Sequence, residues 1–392
     1  MNKNIKLAVA GAVLALSASA ANAGIVIPAG DWTVDIGGNV NTFYTHTKYS
    51  GNLEKGNTNT LQTGLLPSAF GVGAKTRQND LDVAFQFSFF TGVNANGADS
   101  LNAAKTSGGL GYNSLNIRQA FLSFGDKSWG SFKLGRDLGT FGSDAILSDM
   151  TLLGVGSNGG VTGSSTLGRI GSGYLYADWL AQIAYTTPNF NGLEGTVSVH
   201  ETLASQDNRK LGYSGKASYS FAANDVTGKL WVEGTQRKIQ ANGAGIMTER
   251  DADAYGLGGK LGFAGAELVG YYYDGKNMDA GAGVAPGFDT FDTAPVLTRD
   301  VDNKGGYVQA TYVIPTKTKV GVSWGQNTIK TPTTGADNER EAWIVGAYHP
   351  LTKHLNVVAE YNHLKVTGSA ANPFDGTDGK AKTMSLGAIL FF

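Results

Sequence analysis

The stretch Leu81-Asp82-Val83-Ala84-Phe85-Gln86-Phe87-Ser88-Phe89 sets large apolar side chains on one parity and Asp82, Gln86 and Ser88 on the other. Successive side chains of an extended chain point to opposite faces, so this period of two gathers the phenylalanines on one side of a sheet. The pattern recurs along the chain. Trp32, Val34, Ile36, Val40 and Tyr44 oppose Thr33, Asp35, Asn39, Asn41 and Thr45; Leu193, Val197 and Val199 oppose Glu194, Thr196, Ser198 and His200. Near the end, Val308, Ala310, Tyr312 and Ile314 oppose Gln309 and Thr311, and Met384, Leu386, Ala388, Leu390 and Phe392 oppose Thr383, Ser385 and Gly387. Each stretch has one greasy face and one polar or small face. In a water-soluble sandwich the greasy face turns inward, whereas in a membrane barrel it turns to lipid and the polar face lines the lumen.

Connection lengths separate those two cases. Strands are expected at 32–46, 65–75, 80–91, 115–124, 129–136, 171–187, 192–201, 211–222, 226–240, 251–263, 266–274, 304–314, 317–327, 339–348, 354–366 and 380–392, sixteen in all. Between them, long connections (47–64, 92–114, 137–170, 202–210, 241–250, 275–303, 328–338 and 367–379) alternate with tight ones such as Thr76-Arg77-Gln78-Asn79, Ala223-Asn224-Asp225, Ala264-Gly265 and Pro315-Thr316. A compact soluble domain has no reason to sort its loops to one rim, and loops beyond about 12–15 residues are uncommon there. Outer-membrane barrels do sort them, with tight turns facing the periplasm and long loops outside. The expected fold is therefore all-β: a 16-stranded antiparallel transmembrane β-barrel, its even strand count closing the sheet and leaving no edge.

Composition agrees. Glycine supplies 56 of 392 residues, cysteine none, and the net charge is only −1. Disulfide scaffolds, cysteine-based metal or redox sites and nucleic-acid binding are excluded on those grounds. The chain carries 18 Phe, 16 Tyr and 6 Trp, yet its mean hydropathy is −0.14, as two interleaved faces require. Glycine is expected on the lumen parity and in turns, leaving room for water or tight geometry. Residues 1–23 read as a secretory signal, with Lys3 and Lys6, an apolar run from Leu7 to Ala20, and Ala21-Asn22-Ala23 as cleavage site. Removing its two lysines takes the mature chain, 24–392, from −1 to −3. No later stretch is long and apolar enough for a membrane helix, so an exported chain that spans a membrane does so as a closed barrel.

Sixteen strands enclose an aqueous channel, which needs no catalytic group or cofactor, only a constriction selecting by size and charge. The longest connection, 137–170, is the candidate for that constriction and can stand outside or fold into the lumen.

Particular residues carry a likeness. Arg118-Gln119-Ala120-Phe121-Leu122-Ser123-Phe124, a short turn, then Gly130-Ser131-Phe132-Lys133-Leu134-Gly135-Arg136 resembles the paired fourth and fifth strands of the trimeric general porins of Gram-negative outer membranes. Leu167-Gly168-Arg169, the turn Pro188-Asn189-Phe190-Asn191-Gly192-Leu193 and the terminal Phe392 look like the same family, so the likeness spans the mature chain. It implies an inward-folded third loop and a homotrimer in outer-membrane lipid and lipopolysaccharide. It further implies passive diffusion of small hydrophilic solutes, and a Phe392 read by the barrel-assembly machinery. It also implies that Arg118, Arg136 and Arg169 form a basic wall facing Asp144 and Asp149 on that loop. Opposed charges across a narrow water gap would set up a transverse field that orients dipolar solutes. Two departures stand out: Ala69-Phe70-Gly71 where the family often has Arg-Phe-Gly, and Gly38 where a Lys often stands. Anion preference is not carried over with the likeness.

Competing motifs are weak. Gly321-Val322-Ser323-Trp324-Gly325 fits G-x-S-x-G, but a nucleophile elbow needs a strand turning into a helix, and here Val320, Val322 and Trp324 alternate within a strand. His46, His200, His349, His354 and His363 show no metal-ligand spacing, and Gly71-Val72-Gly73-Ala74-Lys75-Thr76 lacks the first glycine of a phosphate loop. Asp279, Asp289, Asp292 and Asp300 in 275–303 lack an ordered calcium-ligand spacing. Trp32, Tyr44, Tyr271 to Tyr273 and Phe391 to Phe392 are expected in aromatic girdles at the membrane interfaces.

Overall fold

Alternation becomes a closed sheet. The computed structural model describes residues 24–51, 56–93, 115–156, 165–201, 210–243, 246–278, 302–330, 337–368 and 378–392. The expected leader, 1–23, and Asp279, Asp289, Asp292 and Asp300 lie outside the described residues. The strands are β1 (Ile25–Ala29), β2 (Trp32–Gly51), β3 (Asn57–Gln62), β4 (Ser68–Gln78), β5 (Leu81–Thr91), β6 (Asn116–Asp126), β7 (Gly130–Leu138), β8 (Trp179–Thr186) and β9 (Leu193–Glu201). They continue as β10 (Leu211–Ala223), β11 (Val226–Gly243), β12 (Ile246–Phe263), β13 (Ala266–Lys276), β14 (Asp302–Val313), β15 (Lys319–Lys330), β16 (Asp337–Pro350), β17 (Leu355–Thr367) and β18 (Gly379–Phe391).

Eighteen strands fill sixteen places. β3 pairs with the outer half of β2 (Phe43 opposite Gln62) and β4 with its inner half (Asn39 opposite Ala69), so the two share one place, interrupted at residues 63–67. β1 folds back on the start of β2 and continues the line of β18, whose last pair is Phe391 opposite Asn39. Pairing of β18 with β2 closes the ring, and every neighbouring pair is antiparallel. Tight turns follow from local chemistry: Asn79 and Asp80 have φ of 48° and 63°, and Ala264 and Gly265 of 50° and 84°, the both-positive pattern that matches strand twist in two-residue hairpins.

Burial is inverted, as a membrane barrel demands. On β18 Met384 and Leu386 are each 63% exposed while their neighbours Thr383 and Ser385 are 2% and 6% exposed, so the greasy parity turns outward. Phe124, Trp129, Phe132 and Tyr185 gather at the short-turn rim with ring centroids 5.1–6.5 Å apart. Tyr271, Tyr273 and Phe391 are not girdle residues, because their parity points into the barrel, where all three are buried.

The apolar core therefore sits inside the ring. Phe141, Ala145, Ile146, Leu167, Ile170 and Tyr174, from the connection after β7, pack on Trp231, Val269, Tyr271, Tyr273 and Tyr307 of the wall. Lumen glycines make this packing possible rather than leaving room for water. A Cβ on Gly258 would lie 2.1 Å from the Trp231 ring, and one on Gly325 would lie 2.4 Å from the Ser172 carbonyl.

Candidate functional site

The connection between β7 and β8 runs over residues 139–178, longer than expected because β8 begins at Trp179 instead of 171. Its neck is closed by Gly139 N–H donating to the Asp178 carbonyl at 2.8 Å. Beyond the neck, Gly142 takes φ of 78° to start a short helix, α1 (Ser143–Leu147), a left-handed turn that glycine adopts without steric cost. A 3-10 turn, Met150–Leu153, follows, with Asp149 as its N-cap accepting from Thr151 N–H, which satisfies an otherwise orphaned donor. The segment then returns through Leu167, Arg169 and Tyr174, all without exposed surface.

Charged side chains clamp this segment from opposite sides. Lys216 of β10 stands 2.9 Å from Asp144, and Lys229 of β11 completes an ion pair with the same carboxylate. Across the lumen, Glu360 of β17 accepts from Val155 N–H at 2.9 Å and Gly156 N–H at 2.6 Å, while its other oxygen accepts from Tyr348 hydroxyl at 2.6 Å. Between the clamps, Gln309 of β14 accepts from Met150 N–H at 2.7 Å, and Leu65 N–H donates to the Gly154 carbonyl at 2.9 Å. Burial by itself would raise the Asp144 carboxyl, but Lys216 and Lys229 hold it below its ordinary value of 3.8.

A second polar cluster holds the segment to itself and to the wall. Asp149 accepts from Thr151 N–H and hydroxyl, from Arg169 N–H at 3.2 Å and from Tyr174 hydroxyl at 2.7 Å. The Arg169 guanidinium donates to Ser323 hydroxyl at 2.6 Å and to the Ser172 and Ala342 carbonyls, each at 3.2 Å. Burial lowers Arg169 to about 10, with Asp149 opposing the shift, so it stays cationic at neutral pH. Burial and the Asp149 carboxylate together push the Tyr174 phenol well up.

Arg118 reaches the lumen by a register shift. β6 carries one extra residue opposite the Ser88–Phe89 step of β5, so Arg118 turns inward beside Gln119, while Phe90 keeps the inward parity of Gln86 and Ser88. The Arg118 guanidinium lies 4.6 Å from the Phe90 ring centroid and 5.8 Å from that of Trp179, a cation over aromatic faces. The two arginine-bearing strands also place Lys133 inward, ion-paired with Asp137 and 5.5 Å from the Phe121 ring.

A closed wall with a clamped internal segment is matched, over residues 9–369, by the family model of Gram-negative porins. The chain belongs to the Gram-negative porin family. It is an outer-membrane channel protein. No curated protein sequence matches it. The anion-selective porin from Comamonas acidovorans superposes with a TM-score of 0.63 at 16% identity, covering 92% of this chain and 100% of that one. Salmonella typhi OmpF, in complex with daunomycin, gives 0.63 at 17% identity over 94% and 100%. OmpT of Vibrio cholerae in its trimer form gives 0.54 at 16% identity over 92% and 99%. These likenesses carry the fold.

In this porin the five expected constriction residues do not form two facing rows. Arg136 lies on the outward parity of β7, opposite Ala120 and Ala181, where it meets Glu201 at 3.4 Å on the outer face. Its place in a basic lumen wall is corrected by strand parity. Arg169 belongs to the inward segment and is fully buried, and Asp149 is spent on the turn beside it. Asp144 faces Lys216 and Lys229, which the sequence reading passed over along with Glu360. Parity was the available signal: Lys216 alternates with Ser214 and Ser218, and Glu360 with Val358 and Asn362, all on the inward face.

Asp144→Asn tests the first clamp. Losing one negative charge between two lysines should shift the reversal potential in a salt gradient toward anions, with conductance changed less than twofold while Glu360 still holds the segment. Because the carboxyl is held low, its contribution is complete above its ordinary value of 3.8 and is lost only below that. The difference in reversal potential between wild type and Asp144→Asn should therefore stay constant from neutral pH down to about 4, as recordings of both across that range would show.

Proposed function

We propose that the porin works as a homotrimer that passes small hydrophilic solutes and ions passively through water beside segment 139–178. The observation carrying this reading is that the segment is clamped at both Asp144 and Glu360, so the barrel holds a fixed constriction instead of a swinging flap. Selection by size then follows from the narrowed cross-section, and selection by charge from Arg118 and from the wall lysines Lys133, Lys216 and Lys229. Asp144, Asp149 and Arg169 contribute by fixing the segment's position. Phe392, directly after β18, serves as the signal for barrel assembly, and residues 1–23 serve as the export leader.

Planar bilayers decide the matter. Conductance arriving in three equal steps, with liposome swelling that falls as sugar size rises, is the expected outcome. The segment touches the wall from β9 round to β17 and also the residue 63–67 interruption, and this favours one second reading, a plugged barrel. Stable, correctly folded protein without conductance would select that reading.

A further inference from the structure

The inward segment is tethered on one flank and greasy on the other. Its polar contacts run to β9 and β10, where Thr140 meets Ser198 and Ser143 meets Lys216, and on to β14, β15, β16 and β17. The opposite flank borders a gap toward β5, β6, β7 and β8. There Ile146, Leu147 and Leu152 of the segment line one void with Phe90, Leu138 and Trp179 of the wall, and Leu65 and Leu66 of the 63–67 interruption join them. The space they bound is about 520 Å³, counted with the solvent at its open side.

Leu66, Leu138, Leu147 and Leu152 are only partly buried, so leucine side chains meet lumen water. Apolar surface left in water is unfavourable, and a sugar passing by merely exchanges one aqueous contact for another. A solute with an alkyl or aryl face takes that surface out of water and is held. One charge lines the same void: Arg118, its guanidinium set over the Phe90 and Trp179 rings. A guanidinium recognises carboxylates through its fork of N–H donors. Asp137, on the adjoining β7, is ion-paired with Lys133, which offsets its repulsion of an entering anion.

We propose that this gap is a binding subsite for small amphiphilic carboxylates, the alkyl or aryl body against the leucines and the carboxylate toward Arg118. This rests on the channel reading and adds a solute class to it: polar solutes of similar size cross the gap without being held.

The test reads potassium chloride current through the porin in planar bilayers while benzoate, glycerate or benzyltrimethylammonium is added. Benzoate has both the apolar body and the carboxylate, glycerate has only the carboxylate, and the ammonium carries the body with the opposite charge. Benzoate should halve the current at a concentration at least about tenfold below that of glycerate or the ammonium. Leu147→Gln with Leu152→Gln should raise the benzoate value toward that of glycerate. Leu147→Met with Leu152→Met keeps the apolar surface and should stay within about twofold of wild type. Arg118→Gln should bring benzoate and the ammonium together.

Equal half-blocking concentrations of benzoate and glycerate in the wild type would overturn the proposal, and that comparison stands even where a glutamine variant fails to fold. Block by benzyltrimethylammonium at the benzoate concentration would show an apolar surface with no carboxylate preference and overturn it too. So would an unchanged benzoate block in a folded glutamine double variant, which would put the site elsewhere. An open wild-type channel without benzoate preference sinks the subsite alone, whereas a wild type silent in potassium chloride sinks the channel reading with it.

Discussion

Arg169→Ala should release the inward segment of the porin, raising single-channel conductance severalfold and admitting larger sugars in liposome swelling. The guanidinium has no exposed surface and joins three groups that belong to different parts of the molecule: the Ser172 carbonyl, Ser323 of β15 and the Ala342 carbonyl of β16. Truncation removes all three donors at once. It also leaves the buried Asp149 carboxylate without the cation whose field it shares. Hydrogen bonds made by a charged group are worth about 1.5–3 kcal/mol each, so losing three exceeds what one short segment of a lumen can lose and stay docked. Arg169→Lys should fall between wild type and alanine, because a single ammonium keeps the charge but cannot reach in three fixed directions. Cleavage by an added protease within 139–178 would follow the same order. An alanine variant with wild-type conductance and exclusion limit would show that the two end clamps alone position the segment.

How much of this was legible in the sequence differs by level. Strand existence followed from alternation, since inward and outward environments impose a strict period of two, and the sixteen places were all anticipated. Breaks in that period were not. The extra residue on β6 turns Arg118 inward beside Phe90, which keeps the inward parity of Gln86 and Ser88, and nothing in the run Asn116-Ile117-Arg118-Gln119 tells a bulge from continued alternation. The gap at residues 63–67, which divides β3 from β4, was not anticipated either: residues 63–64 were read as the end of the connection 47–64 and 65–67 as the start of the strand 65–75. Site chemistry was legible only as residue type. Asp144 was expected on the third loop and lies there, whereas Arg169 was expected in the basic wall and instead belongs to the inward segment; which wall each meets depends on where 139–178 crosses the lumen. That path is set by tertiary packing: lumen glycines such as Gly258 and Gly325 clear space for Trp231 and for the segment's backbone. Glycine excess thus recorded the inward fold, although composition by itself left open whether it made room for water or for tight geometry. Arg136 shows the converse, a family-like motif whose side chain parity sends it to the outer face.

Glu360→Ala should free the opposite end of the segment and raise conductance, whereas Glu360→Gln should be nearly silent. All of the carboxylate's contacts here are donors: Val155 N–H and Gly156 N–H on one oxygen, Tyr348 hydroxyl on the other. Alanine strands two buried N–H groups, each costing about 1–3 kcal/mol. Filling the void by shifting the chain is restricted, because Gly154 already sits so close that a Cβ there would lie 2.0 Å from the Glu360 oxygen. Glutamine retains one acceptor oxygen for the two N–H groups and turns its amide N–H₂ to Tyr348, whose hydroxyl can reverse from donor to acceptor. Combining Glu360→Gln with Tyr348→Phe removes that reversal and should restore most of the alanine phenotype. Hydrogen exchange at Val155 and Gly156 reports the clamp directly, and conductance reports its consequence. If Glu360→Gln proves as damaging as alanine, negative charge rather than acceptor geometry holds the segment. Asp144 and Glu360 act on opposite sides of the lumen, so each single variant leaves a tether. Glu360→Ala with Asp144→Ala should therefore enlarge the channel by more than the two single effects added, the excess measuring how far one clamp restrains the other's release.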